Sequence, residues 1–309
     1  MAILFLSDAE PVTAWADALA NELPDEVIRI NTGPDDDGDV EFAAVWQPAT
    51  GRLARIPGLR AIFSLGAGVD HIFADTELPA DVPVFRLIDP MLAAQMAEFV
   101  VMNVLWHHRG MDQYAADQAD RRWRLLDLPR TARRRVGIMG LGVLGSAAAR
   151  ALAEFGFPLA GWTRTARDWP LGEAFHGRDG LRPFLSISDI LVCLLPLTPE
   201  TEGILDASAF AALPSGAALI NAARGGHVVE ADLLAALDSG ALGAATLDVF
   251  DTEPLPQGHP FWAHPRVRVT PHVAAITYGD TTAREIALNI GRFRAGAPMS
   301  GLVDRRRHY

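Results

Sequence analysis

The sequence predicts two α/β domains, each built on a parallel sheet. Three features of the chain carry that expectation. Short, nearly continuous apolar runs alternate with helix-compatible stretches, as strands covered on both faces do. The alternation occurs twice, once in the first third and again from Arg135, with a long helical stretch between. The chain has 309 residues, half of them hydrophobic, which is enough for two cores.

The first series of apolar runs is "ILFLS" from Ile3, "VIRI" from Val27, "FAAVW" from Phe42, "AIFSL" from Ala61 and "VPVF" from Val82. From Met91 to Trp123 the chain has no proline and one glycine, and reads as a single long helix. Ala94, Ala97, Val101, Val104 and Leu105 stand at helical spacing. Such a helix suits a connector between domains or an oligomer face. The second series runs through the strands "RVGIMG", "FPLAGW", "DILVCLL", "GAALINA", "GAATLDV" and "RVRVTP". Its helices are a small-faced one from Val143, "DASAFAAL", and "EADLLAALDSG", which ends with Gly240 where a C-cap glycine belongs. A last helix, about Gly279 to Gly296, is expected to return the chain to the first domain.

Composition excludes several function classes. The net charge of −11 and the pI near 5.2 make nucleic acid and anionic membranes poor partners. The tail "DRRRHY" reads as a solvated end. No stretch approaches the 18 apolar residues of a membrane span, and the opening lacks the basic flank of a signal peptide, so a cytoplasmic protein is expected. The one cysteine, Cys193, sits in the apolar run "ILVCLL" and reads as a structural thiol. All 27 basic residues are arginine, which excludes Schiff-base lysine chemistry and a P-loop lysine.

"MGLGVLG" places Gly140, Gly142 and Gly145 as G-x-G-x-x-G between a strand and a helix that begins with Val143 and Leu144. Gly140 permits a tight turn, Gly142 lets a pyrophosphate approach the backbone, and Gly145 lets helix pack close to strand. The helix N-terminus then faces the anion. An ordinary tight strand-to-helix turn has the same pattern, so the context carries the reading. About 20 residues on, where an Asp or Glu would hold a ribose hydroxyl, stand Thr163, Arg164, Thr165 and Arg167. Arginines there suit a 2′-phosphate, with the threonine hydroxyls as donors. NADPH is therefore expected in preference to NADH.

Three segments could carry chemistry: "NAARGG" with Arg224, "LDVFDTEPLP" with Glu253, and "TPHVAA" with His272. Arg224 and His272 follow strands, and Glu253 lies in a loop after one. Ligands in open parallel sheets bind beyond such carboxyl ends. An Arg, a Glu and a His can together bind a carboxylate and transfer a proton. Singly, each also reads as a surface arginine, a solvated glutamate or a histidine at a strand end, and spacing does not choose.

At these residues the chain resembles the D-isomer-specific 2-hydroxyacid dehydrogenases. The resemblance spans nearly the whole chain, through "SLGAGVD", "GLGVLG", "LLPLTPETEGI", "NAARGGHVVEADLLAAL", "LDVFDTEPLP" and "TPHVAA". "GWTRTARDWP", "VWQP" and "TPHVAAIT" are most similar to the bacterial A-type glyoxylate/hydroxypyruvate reductases, an NADPH-preferring branch. The resemblance implies a flavodoxin-like substrate domain, residues 1–95 completed by 285–309, and a Rossmann dinucleotide-binding domain, 96–284, with the active site in the cleft. It implies reduction of a small 2-keto acid, glyoxylate to glycolate or hydroxypyruvate to D-glycerate, by a homodimer. Arg224 would hold the substrate carboxylate, His272 would protonate the carbonyl oxygen, and Glu253 would favour protonated His272. The amides of Ala67 and Gly68 would grip the carboxylate too, and Trp46 would wall the pocket or serve as a core tryptophan. Leu195, Pro196, Thr201, Ala222, Ala223 and Asp248 match positions lining the cofactor, Asp248 as an acceptor for the nicotinamide amide or as a loop cap. "HVAA" departs from the H-x-G-[SG]-A common in the family, which leaves open the amide contacts beside the nicotinamide. Two rival readings use the same residues: a reductase of bulkier 2-keto acids, and a non-catalytic dinucleotide sensor of the same fold.

Overall fold

A computed structural model describes residues 2–7 and 12–309. In chain order its regular elements begin with β1 (Ala2–Leu6), α1 (Val12–Glu22), β2 (Val27–Ile30), β3 (Val40–Val45), β4 (Ala61–Ser64), α2 (Asp70–Phe73), β5 (Val84–Phe85), α3 (Pro90–His108) and α4 (Met111–Ala119). They continue with β6 (Val136–Met139), α5 (Val143–Glu154), β7 (Leu159–Thr163), β8 (Glu173–His176), α6 (Gly177–Leu185) and β9 (Ile190–Cys193). The series closes with α7 (Ala207–Ala212), β10 (Ala217–Asn221), α8 (Glu230–Asp238), β11 (Leu242–Leu247), β12 (Val267–Val269) and α9 (Gly279–Arg294). The chain divides into two compact units, Met1–Leu92 with Ile276–Tyr309, and Ala93–Ala275. The divisions fall at 92/93 and 275/276, against 95/96 and 284/285 expected from the sequence.

The first unit carries a parallel five-stranded sheet in the order β2-β1-β3-β4-β5. Its inner strands β1, β3 and β4 are almost wholly buried and mostly apolar, because both faces are covered, whereas the edge strand β2 is partly exposed and carries Arg29. Along β1, Ala2, Leu4 and Leu6 enter one core layer while Ile3 and Phe5 enter the other. α9 supplies Ile286 and Ile290 to that second layer and packs on α1. The segment after α9 returns to β5, where the Val303 amide donates to the Val84 carbonyl at 2.9 Å. "VPVF" makes only a two-residue strand, for Pro83 has no amide to donate.

The second unit carries a parallel seven-stranded sheet in the order β12-β11-β10-β9-β6-β7-β8. Strand order reverses between β6 and β9, the topological switch point where dinucleotides bind in such sheets. β9 shows the two-sided burial again: Ile190 and Val192 face one core layer, Leu191 and Cys193 the other. Burying each of the larger side chains is worth about 1.5–3 kcal/mol. Cys193 is fully buried, and burial pushes its thiol up to about 12. β8 and α6 have no counterpart in the sequence reading. β8 is a mostly exposed edge strand without apolar alternation.

The single helix expected from Met91 to Trp123 is two helices and a strap. Gly110 takes a left-handed φ of 63° and ends α3. Beyond α4, buried Asp117 takes the Arg124 guanidinium at 2.6 Å, and the Tyr114 hydroxyl takes the Leu126 amide at 3.2 Å. These bonds draw the following residues out as a strap with no regular structure, on which the Trp123 side chain is fully exposed. α3 is fixed to the sheet by polar contacts. His107 Nε2 lies 2.9 Å from Thr246 Oγ1, and the Arg268 guanidinium stacks 3.9 Å over the Trp106 ring. Among the described residues, no helix is long and apolar enough to cross a membrane.

Candidate active site

The glycine loop connects β6 to α5. Gly140 has φ 96°, and a Cβ there would stand 2.6 Å from the Leu194 carbonyl oxygen. A Cβ on Gly145 would stand 1.8 Å from the Gly140 carbonyl oxygen, so only glycine lets α5 seat this closely. At Gly142 a Cβ would meet nothing within 4 Å, and this residue caps α5 with no side-chain bond. The Val143 and Leu144 amides at the helix start have no intrahelical acceptors, which makes an anion site. The loop is held from behind: Ser146 Oγ and the Arg167 guanidinium donate to the Leu141 carbonyl at 3.0 and 2.6 Å. Arg164 follows the end of β7 and is exposed, as is Arg167. The Thr163 hydroxyl donates to the Thr165 carbonyl at 2.8 Å and shapes the turn between them.

On the other side of the switch point, Leu195 and Pro196 follow β9. The Thr201 hydroxyl donates to the Pro196 carbonyl at 2.7 Å and accepts the Thr198 amide at 2.9 Å, closing that loop. Ala222 and Ala223 follow β10 and are buried. Small side chains in these places leave the carboxyl end of the sheet open to a flat ligand.

Arg224 stands at the turn after Ala223. Its guanidinium donates to the Ala223 carbonyl at 2.7 Å, and its own carbonyl accepts Asn221 Nδ2 at 2.9 Å. The next residue must be glycine, for a Cβ on Gly225 would lie 1.9 Å from the Phe250 carbonyl carbon. The Phe250 amide in turn donates to Glu253 Oε1 at 2.9 Å. Arg224 and Glu253, distant in sequence, are thus set against one another by backbone contact.

His272 Nδ1 lies 2.7 Å from Glu253 Oε2, and Nε2 takes no part in that bond. The residue has a left-handed φ of 54°, a strained conformation for histidine. Asp248 imposes it. Its carbonyl accepts the His272 amide at 2.8 Å. Its buried carboxylate accepts Thr270 Oγ1 at 2.6 Å and the amides of Val273 and Ala274 at 2.9 and 2.8 Å. These bonds cap the loop, one of the two roles the sequence allows Asp248.

The first unit presents its own candidate residues. Ser64 Oγ donates to the Gly68 carbonyl at 2.9 Å and accepts the Gly66 amide at 3.2 Å, curling the loop that holds Ala67 and Gly68. The Trp46 indole lies over Gly66, where a Cβ would come within 2.6 Å of it, and contacts the His71 ring at 4.4 Å between centroids. Sequence reading overlooked Asn221, Thr270 and His227, which hold the backbone of these loops. The signal was there in each case, a polar residue at the end of an apolar strand or inside an apolar run.

A sequence model of the D-isomer specific 2-hydroxyacid dehydrogenase NAD binding domain matches residues 101–274. The chain is 44% identical to a glyoxylate/hydroxypyruvate reductase A of Serratia proteamaculans, over 98% of both chains. It is 42% identical to the protein of that name from Yersinia enterocolitica, over the full length of both. Among solved structures, a D-isomer specific 2-hydroxyacid dehydrogenase from Xanthobacter autotrophicus, in complex with NADPH and MES, superposes with a TM-score of 0.95 at 45% identity. That match covers 100% of this chain and 99% of the other. An NADPH-dependent glyoxylate/hydroxypyruvate reductase from Sinorhizobium meliloti, bound to NADP and sulfate, gives 0.93 at 41% identity over the same shares.

Burial pushes the Glu253 carboxyl up. The His272 hydrogen bond, the Phe250 amide and the charges of His272 and Arg224 more than offset it, so the group sits below the usual carboxylate range. A group depressed in this way stabilises the folded state above the unfolded carboxyl's value, and that contribution fades as pH falls through the folded value. Glu253→Gln is expected to lower Tm at neutral pH, with the gap to wild type closing below about pH 4. Thermal unfolding across a pH series reads this, and a gap that stays constant would count against the pairing.

Proposed function

Because the chain belongs to the D-isomer specific 2-hydroxyacid dehydrogenase family, we propose that it reduces small 2-keto acids with NADPH, glyoxylate to glycolate and hydroxypyruvate to D-glycerate. The observation that carries this reading is the Arg224–Glu253–His272 group, with the His272–Glu253 bond of 2.7 Å at the carboxyl end of the sheet.

The residues present fit a dinucleotide. The open side of Gly142, the uncapped start of α5 and the small Ala222 and Ala223 form its cradle. Arg164, with Arg167 beside the glycine loop, suits a 2′-phosphate, whereas a carboxylate would repel one. When bound, the nicotinamide supplies the hydride. Arg224 grips the substrate carboxylate with its planar fork and orients the carbonyl. His272 Nε2–H donates to the carbonyl oxygen and gives up its proton as negative charge develops there. Glu253 fixes the ring through Nδ1 and stabilises the imidazolium, and Asp248 keeps the loop in place. In the first unit, the Ala67 and Gly68 amides offer a further anion grip and Trp46 an apolar wall. A cytoplasmic setting suits this chemistry and the unpaired Cys193.

The test of the reaction is NADPH oxidation against a panel of 2-keto acids. Glyoxylate and hydroxypyruvate should be the best substrates. Tight NADPH binding without turnover would point to a sensor, and a preference for large side chains to the bulkier-substrate reductase. His272→Ala should abolish turnover and still bind NADPH, and a variant that stays active would remove His272 as the acid. In Glu253→Gln reduction should slow while NADPH binding stays unchanged, for the neutral amide no longer supports the imidazolium.

Arg164→Ala should weaken NADPH by about 10- to 150-fold, the worth of a charge-assisted contact, and NADH far less. Equal losses for the two cofactors would sink the phosphate assignment.

A homodimer through the α3–α4 region is part of the same reading. The strap beyond α4 holds the apolar side chains of Trp123 and Leu125 in solvent, 100% and 92% exposed. Sedimentation should give a dimer for wild type and a shift toward monomer for Trp123→Ser. A monomeric wild type at micromolar concentration would overturn it.

A further inference from the structure

We infer that His227 is a positioning residue for Arg224, acting through a hydrogen bond from its Nδ1–H to the Arg224 backbone carbonyl. The inference rests on the substrate-binding role proposed for Arg224. The imidazole is fully buried, two glycines past the arginine. Its Nδ1 lies 3.0 Å from the Arg224 carbonyl oxygen and its Nε2 3.3 Å from the Pro196 carbonyl oxygen. Both of these oxygens are acceptors only, so a ring nitrogen must donate, and we assign the donation to the shorter contact, at Nδ1. The Pro196 carbonyl already has the Thr201 hydroxyl at 2.7 Å.

The position is otherwise apolar in character. The following residues are Val228 and Val229, and the Leu205 amide binds the His227 carbonyl at 2.9 Å while Leu205 bridges Val228. A leucine would fill such a place with no polar atom to satisfy. A buried imidazole is costly unless hydrogen-bonded, and here the bond falls on the residue whose side chain must grip the substrate. Held by Asn221 Nδ2 at 2.9 Å and by His227, the Arg224 carbonyl cannot rotate, and that sets the direction in which its guanidinium leaves the backbone. Grips of this kind lose effect when displaced by an ångström.

Three substitutions separate the bond from mere packing. His227→Asn keeps a donor near the Nδ1 place, His227→Gln keeps one near the Nε2 place, and His227→Leu keeps neither. With NADPH saturating, His227→Leu and His227→Gln should raise the KM for glyoxylate about tenfold, the worth of one buried hydrogen bond. His227→Asn should stay within about threefold of wild type, and the Kd for NADPH should change little in all three. Amide hydrogen exchange over residues 222–228, without substrate, should quicken in the Leu and Gln variants and not in Asn. If the Leu variant fails to fold, the contrast between Asn and Gln decides. Equal effects in all three, no effect in any, or rescue by Gln rather than Asn would overturn the inference. A wild type that fails to reduce glyoxylate would defeat the functional reading alone, because hydrogen exchange still reads the bond.

Discussion

The carboxylate of Asp248 lies wholly out of solvent and accepts from Thr270, Val273 and Ala274. A buried charge of this kind survives only when donors surround it, and breaking such a set is costly. Its position is fixed from below by β11, and it fixes in turn the loop after β12. The left-handed backbone of His272 would relax without that support. Strain at one residue is thus stored at the expense of three hydrogen bonds at its neighbour, and the result is an imidazole delivered to Glu253 rather than left to wander.

A second constraint acts on the same loops from the side of β10. Gly225 presses against the backbone of Phe250, and the Phe250 amide holds Glu253. The arginine turn and the glutamate loop therefore cannot shift independently. Two backbone contacts and one capped loop convert three strand ends, each ordinary in a parallel sheet, into one arrangement of cation, carboxylate and imidazole. The sheet supplies rigidity, and the loops supply chemistry.

Much of this was legible in the residues. Apolar runs such as "ILVCLL" marked strands because two-sided burial leaves no polar alternation, and the glycine pattern marked the switch-point loop because its spacing answers to sterics. Arg224, Glu253 and His272 could be named from their motifs, and the contact between them could not, since it depends on Gly225 meeting Phe250 across strands. The long helix was misread at Gly110. One glycine in a helical pattern is often tolerated, and here it turns left-handed beneath the side chains of Leu126 and Leu128. β8 escaped notice because an exposed edge strand has no apolar signature. Thr163 and Thr201 were expected near the cofactor. Their hydroxyls also close the turns they sit in, a use that composition does not reveal.

Cys193 has a consequence of another kind. It is the chain's single thiol, buried within β9 and pushed far from the thiolate form. An alkylating reagent can reach it only when the core layer packed over that face of β9 opens. The folded protein therefore carries a built-in clock for the opening of that core. Any cysteine placed on the surface would react long before it, as a unique handle for a dye or a spin label.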